Sequence, residues 1–483
     1  MNGEEKGADL SMNLLFSLNH VISMRRRKRK MEKQITVERP QSYQIFQRDE
    51  KGTASIQVKG RIKEEQRMKL EITLLDEEGK RLEGFVPVEV ESSDGIFVGT
   101  ITNVPAGLYQ IQISGRVGAD IKFQERVKDV GIGDLWIFAG QSNAAGHGRY
   151  IEGEAVDCPE DDLPMRGVNL WRYGNTAWCQ AVQPVGELQE PSNHSPALTF
   201  AKEIQKAEHI PIGIIQVAVG GSCITSWMKG AEYYNRIFEC LDSEYPKAKG
   251  VFWYQGESET IYTEDGDDPK EKVNLYIERF TKMVENLKKD LNNPRLTVIT
   301  AQLNSQTDRV EEETPSSLWY QIKEIQRQLA NPESAIYVPD TAVISTSDLA
   351  MSDVIHNSAN SNVILAKRMA RAALALAYNR EIQWGQPNLK LAEAEGRVVQ
   401  LTFENVTGGL TASEQITDFT LRDEEGIVPV VQTEVCDNQV KLMVGRDFIG
   451  DVRVDGLASM RPEPTVWNER LEPVLGFYDI KVM

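Results

Sequence analysis

Gly140-Gln141-Ser142-Asn143, followed by Ala144, Ala145 and Gly146, closes an apolar run and opens a stretch of small residues. A serine at such a junction can lift its hydroxyl into an open crevice where the following backbone N–H groups converge, which is the geometry of a nucleophile. A plain Ser/Asn turn between strand and helix is the competing reading. A nucleophilic serine needs a base. The chain has five histidines: His20 near the start, His147 close behind Ser142, His209 in a polar loop before an apolar run, and His194 and His356, which remain as candidates. His356 ends Asp353-Val354-Ile355-His356. That spacing lets the carboxylate approach the imidazole Nδ1–H and hold its tautomer, although a lone Asp-x-x-His also suits a surface loop.

Two further clusters follow apolar runs. In Gly220-Gly221-Ser222-Cys223-Ile224, with Trp227 beyond it, Gly221 can bring a backbone N–H to a developing oxyanion without side-chain hindrance. In Trp253-Tyr254-Gln255-Gly256-Glu257-Ser258, Gln255 offers amide N–H groups to the same oxyanion, and Glu257 could orient a neighbour or act as an alternative acid. A strand-to-helix turn and a buried structural glutamate are the bland readings of these clusters. Each signal is weak alone. Together, four segment ends would supply nucleophile, backbone donor, amide donor and acid–base pair to one crevice.

The elements that would hold these residues come in three kinds. Over 33–128 the pattern has period two, as in Met68, Leu70, Ile72 and Leu74 or Tyr109, Ile111 and Ile113, and turn signals interrupt it at 76–79, 92–95 and 105–107. This predicts an Ig-like β-sandwich accessory domain. After Gly131 the pattern becomes apolar strand, glycine-rich turn and amphipathic helix. The predicted buried strands are 135–139, 212–219, 251–254, 296–301 and 335–338. The predicted helices carry Val273, Ile277, Phe280, Val284, Leu287 and Leu291, then Leu318, Ile322, Ile325 and Leu329, and finally 363–378. This predicts an α/β catalytic domain over 129–382, a parallel sheet between helices with its ligand site at the carboxyl ends of the strands. Alternation returns with Val399, Leu401 and Phe403 and with Val440, Leu442 and Val444, predicting a C-terminal β domain over 383–483.

Composition sets limits. The 54 basic and 72 acidic side chains give a formal charge of −18, which disfavours nucleic acid and anionic membrane as partners. Five cysteines, Cys158, Cys179, Cys223, Cys240 and Cys436, show no metal-ligand spacing, so neither a metal site nor a disulfide framework is expected. No apolar run reaches the ~18 residues that would span a bilayer. Residues 1–32 are expected to be a disordered or misassigned extension, with Met31 an alternative start. Their basic run at 25–30 follows the apolar patch instead of preceding it, unlike a secretory signal. A cytoplasmic location is the default expectation.

The strings GQSNAAGHG, GGSCITSW, WYQGES and DVIH together resemble the four blocks of the SGNH hydrolases, in particular the sialate O-acetylesterase and acetyl xylan esterase branch. The resemblance covers roughly 129–380 and implies a flavodoxin-like domain. It also implies a cofactor-free acyl transfer from an acetylated carbohydrate, the acetyl group passing to Ser142 and then to water, with Ser142 as nucleophile, His356 as general base, Asp353 as its orienter and the Ser142 and Gly221 amides as oxyanion donors. Gln141, Asn143, Trp227, Glu257 and Gln326, the last in LWYQIKEIQRQ, are implied pocket residues. A small acetyl pocket near Trp227 and Trp253, whose rings would stack on a sugar, goes with this reading. The third block has Gln255-Gly256-Glu257 where many members have an asparagine donor, and Asn357 follows the histidine where others often have proline or an aromatic. A glycan-binding protein with a retired hydrolase domain is the alternative of a different class.

Overall fold

The computed structural model describes residues 34–63, 67–117, 120–151, 159–186, 190, 192–241, 246–263, 266–308 and 315–483. The expected extension 1–32 and Cys158 lie outside them; the described cysteines 179, 223, 240 and 436 form no disulfide with one another. Among the described residues no helix is long and apolar enough to cross a membrane.

The organising element is β1 (Asp120–Gly140), which belongs to two regions at once. Its first half is mostly exposed and pairs antiparallel with Gly107–Val117, whereas from Val130 onward every residue is buried. There it pairs in parallel with β3 (Ile212–Gln216) on one side and β4 (Gly250–Tyr254) on the other. The change of pattern near Gly131 therefore marks passage from a sheet with one wet face to a sheet covered on both. The expected boundary between 128 and 129 falls inside this single strand. N-terminal and central strands join one eleven-stranded sheet.

The parallel part runs in the order β2 (Val168–Arg172), β3, β1, β4, β5 (Thr297–Ala301), β6 (Thr341–Ile344). Two strand expectations need correction. Residues 335–338 form turn and coil, because Val338 N–H is drawn back to the Leu329 carbonyl at 2.9 Å, and Asp340, at φ 62°, turns the chain before β6 begins. Strand β2 was not foreseen; it is short and lies beside the edge pair Cys179–Gln180.

Helices cover both faces. Phe200 of α2 (Ala197–Glu208) meets Trp136 and Phe138 edge-on, and α6 (Ala359–Tyr378) packs beside α2. On the opposite face lie α3 (Glu232–Cys240), α4 (Pro269–Asp290) and α5 (Ser316–Gln328), with Phe280 of α4 against Trp253. Helix α4 starts where Asp268 caps the Lys270 N–H and Pro269 takes the first turn, and it buries Val273, Phe280, Val284 and Leu287 as their spacing predicts.

At the N-terminal end, the three-stranded sheet Ile35–Arg39, Thr53–Ile62 and Ile96–Pro105 faces the extension of the large sheet over Val58, Phe97, Ile72 and Ile113. At the C-terminal end two four-stranded antiparallel sheets enclose Leu401, Leu421, Val440 and Val454. This β region is bonded to the centre: Gln302 both donates to and accepts from the Gly476 backbone at 2.8 Å, and Arg327 reaches Asn388 at 2.7 Å.

Candidate active site

At the end of β1, Gly140 has φ 118°, and a Cβ there would lie 2.2 Å from the Tyr254 carbonyl oxygen. Only glycine lets the strand pass so close to β4 while turning. Gln141 then donates its N–H to that same carbonyl at 2.9 Å, and Ser142 opens the short helix α1 (Ser142–Ala145), whose end at left-handed Gly146 turns the chain back. Ser142 is 6% exposed. Neither its backbone N–H nor that of Gly221 has an acceptor among the described residues. Gly221, at φ 70°, is exposed, and open space lies where a Cβ would stand. Its loop is fastened by Ser222, whose Oγ donates to the Gly140 carbonyl at 3.3 Å and accepts from Trp227 Nε1 at 3.0 Å.

The late Asp-x-x-His segment is a tight turn. Asp353 Oδ1 accepts the backbone N–H groups of Ile355 and His356 at 2.9 and 2.8 Å, and its Oδ2 stands 2.7 Å from His356 Nδ1. Burial disfavours the charged carboxylate, but these hydrogen bonds together with the imidazole outweigh it and hold the Asp353 carboxyl below the usual range. With Nδ1 engaged, Nε2 is the atom available to take a proton. Asn143 brings this turn to the serine: its Oδ1 accepts the Asn357 N–H at 3.1 Å, and its Nδ2 donates to the Ile355 carbonyl at 3.2 Å and to Glu257 Oε1 at 2.9 Å. Among the described residues no hydrogen bond joins the Ser142 hydroxyl to the His356 ring. Nucleophile–base contacts of this kind are often loose until substrate arrives.

Glu257 is 2% exposed, its second carboxylate oxygen has no partner among the described residues, and burial pushes its carboxyl up to about 7. It lies behind Asn143, a buried group that braces the site.

The structure moves five expected residues out of the crevice. The Gln255 amide is fully buried and donates to Gln141 Oε1, the Ser222 carbonyl and Glu259 Oε1 at 3.3, 3.2 and 2.9 Å, so its N–H groups are committed inside the protein and not offered to an oxyanion. Gln326 is equally buried; its Oε1 accepts from Leu303 N–H at 2.9 Å and its Nε2 donates to the Gln255 carbonyl at 3.0 Å. Trp227, at 0% exposure, stands edge-on to Trp253, itself 1% exposed, so neither ring can stack on a sugar. Gln141 also points inward, its Oε1 accepting the Ser258 N–H at 3.2 Å.

Two residues gain significance that the sequence did not give them. The His147 ring lies 5.4 Å from that of His356, because Gly146 folds the chain back and His147 N–H returns to the Ser142 carbonyl at 3.1 Å. Glu259, fully buried, accepts the Ile224 N–H at 2.7 Å as well as the Gln255 amide, which ties the Gly221 loop to the end of β4. The glycine after Ala145 was the available signal for the first. Nothing in the local pattern of the second separates it from an exposed acid.

The carboxyl edge of the parallel sheet thus carries Ser142 at the end of β1 and a Gly221 loop whose backbone N–H is unengaged among the described residues, with the Asp353-held imidazole on a turn that Asn143 bonds to the serine's segment. Residues 132–375, just over half of the chain, match the family model described as carbohydrate esterase, sialic acid-specific acetylesterase, and the chain belongs to that family. It is a carboxylic ester hydrolase of the carbohydrate acetylesterase kind. A probable carbohydrate esterase of Arabidopsis thaliana is 25% identical over 189 residues, covering 35% of this chain and 69% of that protein. The crystal structure of a carbohydrate acetylesterase from Xanthomonas citri superposes with a TM-score of 0.65 at 20% identity, covering 90% of this chain and 97% of that one. That likeness is one of fold, and it extends into both flanking β regions.

Proposed function

We propose that the protein removes O-acetyl groups from sialic acids by a Ser142–His356–Asp353 acetyl-enzyme mechanism. In this reading Ser142 Oγ attacks the acetyl carbonyl carbon as His356 Nε2 takes its proton, and the carbonyl oxygen becomes an oxyanion received by the N–H groups of Ser142 and Gly221. Collapse returns the proton to the departing sugar oxygen and leaves acetyl on Ser142; water, deprotonated by the same imidazole, then releases acetate. The observation that carries the reading is the 2.7 Å contact of Asp353 with His356 in a turn that Asn143 bonds to the serine's own segment.

The choice of sialate rests on the description of the matched family. Acetylated xylan or another acetylated sugar is the second choice within the same chemistry. The domain reading belongs to the same proposal: without β2, the order β3, β1, β4, β5, β6 is the 2-1-3-4-5 order of a flavodoxin-like sheet, flanked by an Ig-like sandwich and a C-terminal β unit. The test is acetate release from O-acetylated sialic acid and from acetylated xylo-oligosaccharide. Faster release from the sialic acid supports the assignment, and release from the xylo-oligosaccharide alone replaces it with the second choice.

A further inference from the structure

A cavity of about 720 Å³ lies between the N-terminal three-stranded sheet and the face of the central sheet flanking α3. Its volume falls within the ~300–1,000 Å³ typical of small-molecule sites. It is not the crevice at Ser142. Its floor includes Ile45 and Leu135, at the start of the parallel portion of β1, whereas Ser142 follows the strand's far end.

The lining has the chemistry that sugars use. Trp171 and Trp178 form an angled aromatic wall, ring centroids 5.9 Å apart and planes at 46°, with Trp171 partly exposed. Across from it the three-stranded sheet presents Gln57 and Asn103, and α3 presents Glu239, none with a side-chain hydrogen-bond partner among the described residues. Other polar groups here hold the walls in place. Gln41 Oε1 accepts the Trp178 N–H at 3.1 Å, and Gln47 accepts the Leu135 N–H at 2.7 Å while donating to Asp134 at 2.7 Å. An indole face beside free amide and carboxylate groups matches the mixed apolar and hydroxylated faces of a pyranose. Acidic Glu38, Asp49 and Glu239 stand against basic Arg39 and Lys247 in the same lining, so no excess of positive charge invites an anionic sugar.

We propose that this cavity is an accessory binding site for a neutral oligosaccharide, separate from the ester-cleaving crevice and serving to hold a glycan on the enzyme. Only the ligand class rests on the carbohydrate esterase reading. The test is calorimetric titration of the full-length wild-type protein with xylohexaose and cellohexaose, which carry no ester, and with sialyllactose. Saturable binding of a neutral hexasaccharide is expected, weakened roughly tenfold or more by Trp171→Ala and by Asn103→Ala, about 1.4 kcal/mol per tenfold step. Hydrolysis of a small aryl acetate, measured in parallel, should stay unchanged in both variants and reports the esterase independently. Asn103, whose side chain is exposed, carries the test if Trp171→Ala fails to fold. Absence of binding by both neutral probes, binding of sialyllactose alone, or binding indifferent to Asn103→Ala would overturn the proposal.

Discussion

Asn143 Oδ1 accepts the backbone N–H of Asn357 at 3.1 Å, so the residue after Ser142 is bonded to the residue after His356 across 214 positions of sequence. The same carboxamide donates to the Ile355 carbonyl, so both neighbours of His356 are held by the neighbour of Ser142. Registry between the two candidate catalytic groups is therefore set by one side chain that touches neither reacting atom. Asn143→Ala is expected to lower kcat by roughly 10²-fold, the cost of an ångström-scale misplacement, with KM little changed. Steady-state kinetics on an acetylated sugar check this, and a change confined to KM would place Asn143 in substrate binding instead.

The Asp353 carboxylate accepts two backbone N–H groups of the turn and contacts the imidazole Nδ1. Asp353→Asn keeps the size of the side chain but offers Nδ1 the wrong partner for half of its possible orientations, so kcat should fall by roughly 10²–10⁴-fold. Thermal unfolding should move little, since the side chain is 38% exposed. An activity within a few-fold of wild type would remove Asp353 from the mechanism.

Glu257 should leave a mark on stability against pH. Burial raises its carboxyl from 4.5 to about 7, so in that window the folded state binds more protons than the unfolded state. Its contribution is complete below about 4.5 and is lost as pH rises through about 7, a difference on the order of 3 kcal/mol. Glu257→Gln keeps an acceptor for Asn143 and cannot ionise, so its melting temperature should fall less between pH 5 and pH 8 than that of wild type. Parallel slopes for the two proteins in this range would contradict the buried, raised carboxyl.

Trp227 separates a structural from a binding role. With no exposure and its indole between Ser222, Tyr233 and Trp253, Trp227→Ala should destabilise the protein by about 3–5 kcal/mol. The loss should be of folded protein and not of substrate affinity. Denaturant unfolding with KM measured on the surviving fraction distinguishes these, and a raised KM at unchanged stability would return Trp227 to the pocket.

What the sequence disclosed and what it hid follow from how each feature is encoded. The strand-end position of Ser142 and the contact of Asp353 with His356 were legible because a strand end and a three-residue spacing are local. The faces of α4 were legible because its apolar residues keep one period. The burial of Gln255, Gln326 and Trp227 was not, because whether a polar or aromatic group at a strand end points into the crevice or under it depends on partners such as Ser222, Leu303 and Tyr233 from other segments. The proximity of His147 to His356 depended in the same way on a left-handed turn at Gly146 meeting a loop from far along the chain. The expected boundary near residue 128 lies within a strand because a change of pattern marks a change of environment along a strand as readily as the end of a domain.

A Ser142 that carries the acetyl group is tested most directly by covalent labelling. The purified protein is treated with a fluorophosphonate probe, the modified peptide is mapped by mass spectrometry, and acetate release is followed in wild type and in folded Ser142→Ala. One adduct on Ser142 is expected, with release from an acetylated sugar that the adduct abolishes and a loss of roughly 10⁴-fold or more in Ser142→Ala. Labelling elsewhere, or acetate release that survives in Ser142→Ala, would contradict it.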